Sequence, residues 1–193
     1  MIEAIAGIGT AFGLAGSAGL NAYIPLLIVA LASRFPLSDP FIKLSAPYDL
    51  LSNWWVIGIL VVLLVIEMLV DKVPAVDSLN DIIQTFIRPA AGAILFAGSA
   101  NVISDINPII AIIAGVLVAG GVHTTKVAVR PVVTATTAGT GNWAVSIFED
   151  VIAFFMSLMA LLLPLLAGIF VLLFVVFIFW FWRRRRRKKQ LLT

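Results

Sequence analysis

Long apolar runs constrain this chain more than any other feature. A helix needs about 20 consecutive apolar residues to cross a hydrocarbon core about 30 Å thick, and several runs here approach that length. Of the 193 residues, 62% are hydrophobic and 12% are charged, about half the charged fraction of a soluble domain. The sequence therefore predicts an all-α integral membrane protein.

The runs predict about five transmembrane helices in a single polytopic domain, residues 1–182. The expected spans are 5–32, 54–70, 85–104, a fourth from 109 through HTTKVAVRP (123–131), and 146–182. Proline cannot donate a backbone hydrogen bond, so we expect breaks or kinks at Pro25, Pro89 and Pro131. The last span is too long for one crossing, since about 37 residues would extend about 55 Å, and Pro164 offers a bend.

Polar segments separate these spans. Residues 34–52 contain three prolines and read as a loop, and TAGTGN (137–142) reads as another. In DKVPAVDSLND (71–81), Pro74 is expected to stop the second span and Asp77 or Ser78 to cap the third, where Ser78 and Asp81 resemble a capping box. Asn107 and Pro108 predict a tight turn.

A basic tail, residues 183–193, follows the aromatic sequence WFW and sets the expected orientation. Dense basic clusters beside a span favour the cytoplasmic side, so with five spans the N-terminus would lie outside and the 34–52 loop inside. The tail residues are also candidate ligands for anionic lipid headgroups: Arg183, Arg184, Arg185, Arg186, Arg187, Lys188 and Lys189. They account for seven of the thirteen basic residues, leaving six against ten acidic ones, so nucleic acid is not expected as a partner.

This orientation places the remaining charges at the outer half or outer rim of the membrane. His123, Lys126 and Arg130 are spaced i, i+3 and i+7 and share one helical face. The hypothesis is that Lys126 and Arg130 pair with Glu67 and Asp71 at the rim of a cavity that opens outward. The candidate binding set is completed by Arg88 and by Asn21, whose carbonyl Pro25 would leave without its helical partner. The alternative is that the charges are only structural ion pairs.

An internal repeat is a further possibility. A shift of 106 residues superposes Ala22 on Ala128 and Pro25 on Pro131. Three spans separate the two starts, so the related helices would run antiparallel, as in inverted-repeat transporters.

The chain resembles the family of bacterial membrane proteins known as domain of unknown function 4126. The resemblance lies in SAGLNAYIPLL (17–27), EMLVDKVPAVDSLNDIIQTFIRPAAGA (67–93), HTTKVAVRP (123–131) and SIFEDVIA (146–153). It implies a small multi-pass protein of the bacterial inner membrane, and it assigns no activity, substrate or site.

Two functional hypotheses follow. The first is a small transporter or channel-like protein whose substrate is anionic or a lipid headgroup. The second is an accessory subunit that packs, as a homo-oligomer or within a larger membrane complex, through its apolar helices. An enzyme is not expected, because the chain has no cysteine and a single histidine. No spacing of metal ligands appears, and no cofactor is expected.

Overall fold

The described part of the chain folds into six α-helices. The computed structural model describes residues 2–35, 44–70, 74–100 and 106–163 and the isolated positions 173 and 176; side chains at 2–5, 74–79 and 100 are not described. Asp71, most of the predicted last span beyond residue 163, and the basic tail lie outside this part. The helices are α1 Ile2–Leu20, α2 Tyr23–Arg34, α3 Trp54–Val70, α4 Pro74–Ala100, α5 Pro108–Thr137 and α6 Thr140–Leu162, with a 3-10 helix at Tyr48–Ser52.

Three of these helices are long and apolar enough to cross a membrane. They comprise Asn80–Ser99 of α4, Pro108–Thr137 and Thr140–Leu162, and shorter apolar helices occupy Ala6–Leu20, Tyr23–Arg34 and Trp54–Val70. The prediction of an all-α chain with several membrane-length helices is confirmed.

α1 is the central helix of the bundle and packs against α4, α5 and α6. The Thr10 hydroxyl donates to the Ala160 carbonyl (2.9 Å), and the Ser17 hydroxyl donates to the Ala153 carbonyl (2.7 Å). As residue numbers rise along α1 they fall along α6, so these helices are antiparallel. The Phe12 and Phe96 rings meet edge to face with centroids 5.0 Å apart.

Glycines allow the closest helix contacts. A Cβ added to Gly92 of α4 would collide with Ala119 and with the Gly115 carbonyl of α5, and one added to Gly115 would meet the Gly92 backbone. A Cβ on Gly19 of α1 would lie 2.6 Å from the Ala119 carbonyl. Small residues at helix interfaces let backbones approach, and here they bring α1, α4 and α5 together beside the charged residues.

The first predicted span is broken, although not at Pro25. α1 ends at Leu20 and α2 begins at Tyr23. The Asn21 side-chain oxygen accepts hydrogen bonds from the backbone N–H groups of Tyr23 (3.0 Å) and Ile24 (3.1 Å), so Asn21 caps α2. Pro25 falls in the first turn of that helix, where its missing N–H costs nothing.

α2 then runs back toward the end of the bundle where α1 begins. The 3-10 helix packs against α2, while its Tyr48 lies against Gly98 near the C-terminal end of α4 and in the same apolar cluster as Phe12. We term this end A, and the end where α5 turns into α6 end B. The segment is therefore a helical hairpin whose turn lies inside the bundle.

The hairpin corrects the predicted topology. Placing the N-terminus outside and the 34–52 loop inside assumed that residues 5–32 cross the membrane once. In the structure the start of α1 and the 3-10 helix share end A, because the chain reverses at Asn21.

The other helix boundaries follow the sequence in part. α3 coincides with the predicted span, Trp54–Val70. Asn107 caps α5, its side chain accepting from the Ile109 N–H (2.9 Å), and Pro108 occupies the first turn. α3 ends at Val70, before Pro74. α4 begins at Pro74, so the prediction that Asp77 or Ser78 caps this helix is wrong. A first-turn proline needs no N–H partner, which lets the helix start early.

Two further predictions about breaks are wrong. Pro89 and Pro131 lie inside continuous helices, so neither proline breaks its helix, while a kink at either one stays a prediction. Neighbouring helices support proline within membrane helices. The loop predicted at 137–142 shrinks to a two-residue turn, Ala138 and Gly139, both with left-handed backbones (φ 50° and 85°). Pro25 opens a helix whereas Pro131 lies within one, so the proposed repeat does not superpose equivalent structure at these prolines. α6 ends at Leu162, and the bend predicted at Pro164 lies outside the described residues.

Candidate functional site

The basic face of α5 points into the bundle. His123 is 3% exposed, and Lys126 and Arg130 are each 6% exposed. The prediction that these three residues share one helical face is confirmed. Buried charges require partners, because an unpaired charge away from water costs several kcal/mol. Those partners come from α1, α4 and α6.

Arg88 of α4 is the centre of a first group. Its side chain is fully buried, and Nη2 donates to Glu67 Oε1 of α3 at 3.0 Å. Nη1 lies 3.1 Å from Nδ1 of His123 on α5. One guanidinium thus joins three helices.

The hydrogen bonds around His123 define its protonation state. The guanidinium of Arg88 can only donate, so Nδ1 of His123 accepts and carries no proton. The Thr85 hydroxyl donates to the Asp81 carbonyl (2.8 Å), which uses its single hydrogen. It therefore accepts from Nε2 of His123 at 3.0 Å. His123 is neutral, with its proton on Nε2.

Lys126 and Arg130 form a second group with acids of α4 and α6. Lys126 Nζ lies 2.8 Å from Glu149 Oε2 and donates to the Leu20 carbonyl at 3.4 Å. Arg130 lies 3.5 Å from the same Glu149 oxygen and 3.7 Å from Asp81 Oδ2. The ammonium of Lys126 therefore reaches the broken end of α1, where a helix terminus leaves carbonyls without helical partners.

The predicted pairing of Lys126 and Arg130 with Glu67 is wrong. Glu67 pairs with Arg88, and the α5 cations pair with Glu149 and Asp81. The cause is helix order, because α4 stands beside α5 and brings Arg88 between α5 and the acid of α3. Asp71, the other predicted partner, lies outside the described residues.

Asn21 links the helix break to α6. Its Nδ2 donates to Asp150 Oδ1 at 2.9 Å, while its oxygen caps α2. This confirms that Asn21 belongs to the polar cluster. It contributes its side chain, however, and not the freed carbonyl that the sequence suggested.

The two groups form one network inside the bundle. Asp81 joins them, because its carbonyl accepts from Thr85 and its carboxylate faces Arg130. Within the described residues the network holds four acids and three bases, a formal charge of −1 with His123 neutral: Glu67, Asp81, Glu149, Asp150, Arg88, Lys126 and Arg130. The ion pairs of this network lie inside the bundle, and their placement at an outer rim stays a prediction.

One cavity lies away from this network. It has a volume of about 360 Å³ and is lined at end A by Arg34, Asp49, Leu50, Ser52, Asn53 and Trp54. Among the described residues, no group of three or more His, Cys, Asp or Glu is placed to hold a metal ion.

Sequence reasoning missed three site residues. Asp81, Glu149 and Asp150 were not included in the candidate binding set. The available signal was the adjacent pair Glu149 and Asp150 within the apolar run of α6, which cannot face lipid without cost. Which cation each acid meets depends on helix neighbours, which one sequence does not specify.

A broken central helix, membrane-length neighbours and a buried ionic network together define an α-helical membrane protein with a polar interior. Residues 8–184 match the family model described as domain of unknown function (DUF4126), so the chain belongs to that family. Neither a curated protein nor a solved structure matches it.

Proposed function

We propose that this protein is a small transporter of the bacterial cytoplasmic membrane and that its site is the buried network at the α1–α2 break. In this proposal α3 to α6 cross the membrane, the α1–α2 hairpin enters from end A and returns, and the C-terminus is cytoplasmic. The observation that carries the proposal is the meeting of Lys126, Asn21, Glu149 and Asp150 at a helix break inside the bundle.

A network of this size is costly to keep for stability alone. Buried ion pairs are often no more stabilising than apolar side chains of similar volume. Non-helical backbone at membrane depth is tolerated where it is enclosed by protein or lines a polar cavity. Transporters use such discontinuous helices to bind substrates and coupling ions near the membrane centre. The Leu20 carbonyl and the Asn21 amide are groups of this kind.

The charge balance favours a proton or small cation over the anionic substrate expected from the sequence. Each base of the described network faces a carboxylate: Arg88 faces Glu67, and Lys126 and Arg130 face Glu149. With four acids to three bases, the network is not an anion-attracting pocket. Anionic lipid headgroups remain proposed partners of the tail alone.

The accessory-subunit alternative rests on the exposed apolar faces of the bundle. Ile59, Leu117 and Phe148 are each more than half exposed, and these faces would contact a larger complex or a second copy. Surrounding lipid accounts for the same faces, whereas neither partner accounts for the buried charges.

Ion flux in proteoliposomes tests the transporter proposal. A potassium diffusion potential would be imposed, and trapped dyes for H⁺, Na⁺ and K⁺ would be followed in separate vesicles. The wild-type protein is expected to move at least one of these ions, and Glu149→Gln is expected to abolish the flux. Asp49→Asn, a matched change in the 3-10 helix, should leave it unchanged. Wild-type vesicles as tight as empty ones to all three ions would overturn the proposal.

A further inference from the structure

We infer that His123 is the proton-binding residue of this network, and that a proton on Nδ1 displaces Arg88 from it. The inference rests on the proposed transport function and names its coupling ion. It starts from the geometry on either side of the imidazole ring, where Nδ1 faces a permanent cation and Nε2 faces a hydroxyl.

The step is a simple protonation. A proton adds to the lone pair of Nδ1 and forms an N–H bond. The hydrogen bond from Arg88 Nη1 to that lone pair is lost in the same event, because two donors cannot share it. Arg88 keeps its charge and its 3.0 Å contact with Glu67, and Nε2 keeps its proton and its bond to Thr85.

The surrounding charges couple protonation of His123 to movement of the Arg88 side chain. Arg88 and Asp81 act on the ring from α4, and Lys126 acts from its own helix, α5. Glu67 of α3 stands behind Arg88 and Glu149 of α6 stands behind Lys126, while α1 contributes the Leu20 carbonyl. With Arg88 in contact, an imidazolium would face a buried cation, so the proton binds only as the guanidinium withdraws.

Two features favour this ring as the acceptor. Protonation brings the described network from a formal charge of −1 to neutrality, which lowers the cost of keeping it in the membrane. Displacement of Arg88 also breaks the hydrogen bond between α4 and α5, while the retained contact with Glu67 carries the movement to α3. A ligand shifts a conformational equilibrium only if it binds one state more tightly than the other. The proton meets this condition, because it binds His123 when Arg88 is displaced and not when Arg88 is in contact.

The single histidine of the chain allows a direct test by NMR. The full-length protein would be labelled with ¹⁵N-histidine and ¹⁵N-arginine in lipid nanodiscs and titrated from neutral to acid pH. The Arg88 signal would be assigned as the one missing from Arg88→Lys. We expect Nδ1 to be unprotonated at neutral pH, to gain a proton in one step on acidification, and the Arg88 signal to shift in that step.

Control variants separate the local contacts. Thr85→Val should change the Nε2 signal because it removes the acceptor. Thr124→Val should leave both ring nitrogens unchanged, because that exposed hydroxyl bonds only the Gly120 carbonyl of its own helix.

Three results would overturn the inference: a proton on Nδ1 at neutral pH, a ring that titrates while Arg88 does not respond, or a ring that stays neutral until the protein unfolds. The flux assay is independent of these results. Ion flux without the linked titration would leave the transporter proposal standing and remove His123 from it. A linked titration without flux would do the reverse.

Discussion

At the scale of single residues, the buried ion pairs determine what the network tolerates. Arg88 is fully buried and Glu67 is 2% exposed, so removing one partner leaves an uncompensated charge in the bundle. Breaking such a pair costs about 3–5 kcal/mol, whereas replacing both partners with apolar or neutral groups of similar volume is often nearly neutral.

A double-mutant cycle on this pair tests the assignment. Arg88→Met should destabilise the protein by about 3–5 kcal/mol because it strands the Glu67 carboxylate. Adding Glu67→Gln should recover a large part of that loss. The free energy of unfolding in mild detergent would be measured for the wild type, the two single variants and the double variant. If the double variant lost the sum of the two single losses, the residues would not be coupled.

Asn21 shows what a single residue type reveals about the site. The sequence identified it through the carbonyl that Pro25 would free, and the structure places it in the polar cluster through its side chain. The chain breaks at Asn21 because an amide can cap one helix and bind a carboxylate of another simultaneously. Pro25 does not cause the break; it is only tolerated in the first turn of α2, where it needs no N–H partner. Local propensity thus indicated that a break exists, and tertiary contacts fixed its position.

At the scale of helices, close backbone contacts hold the elements that carry the network. Gly92 and Gly115 bring α4 and α5 together one to two turns from Arg88 and His123. Adding a methyl group where the neighbour is backbone forces the helices apart, because backbone atoms cannot change rotamer.

Gly115→Ala should therefore destabilise the bundle by about 1–3 kcal/mol, the usual cost of overpacking. The matched control is Gly121→Ala in the same helix, where an added Cβ meets no atom within 4 Å. That change should be neutral or stabilise by up to about 1 kcal/mol, since alanine favours the helix. Detergent unfolding of both variants measures the difference, and equal effects would contradict the close α4–α5 contact.

The sequence predicted where helices form, but it did not predict which helices pack against one another. The helix Trp54–Val70 matches the predicted span because a long apolar run with Glu67 as its one charged residue indicates a helix at this length. The partners of Lys126 and Arg130 were predicted incorrectly, because i, i+4 spacing places charges on one face but does not say which helix that face meets. The reversal at Asn21 was missed for the same reason, since a kinked span and a hairpin have similar hydropathy.

At the scale of the whole molecule, the hairpin determines which loops lie at the same end of the bundle. The start of α1 and the 3-10 helix lie at end A, and the α5–α6 turn lies at end B. If residues 5–32 crossed the membrane once, the start of α1 and the 3-10 helix would lie on opposite sides.

Cysteine labelling tests this topology cleanly because the native chain has no cysteine. Cysteines introduced at Ile2 and Leu50 should react with an impermeant reagent from the same side of the membrane. A cysteine at Thr140 should react from the opposite side. Intact cells and inverted vesicles provide the two sides. Reaction of positions 2 and 50 from opposite sides would restore the single-span topology and contradict the hairpin.

The most direct test of the account is whether water reaches the helix break. Ala22 lies in the hairpin turn beside the network, and Ala18 lies one turn away inside α1; both are 0% exposed. A transport site must open during its cycle, so Ala22→Cys should react with a small water-soluble thiol reagent in native membranes. Ala18→Cys, the same substitution in packed helix, should stay unreactive. If neither cysteine reacts, the network is a sealed structural element and the transporter proposal is contradicted.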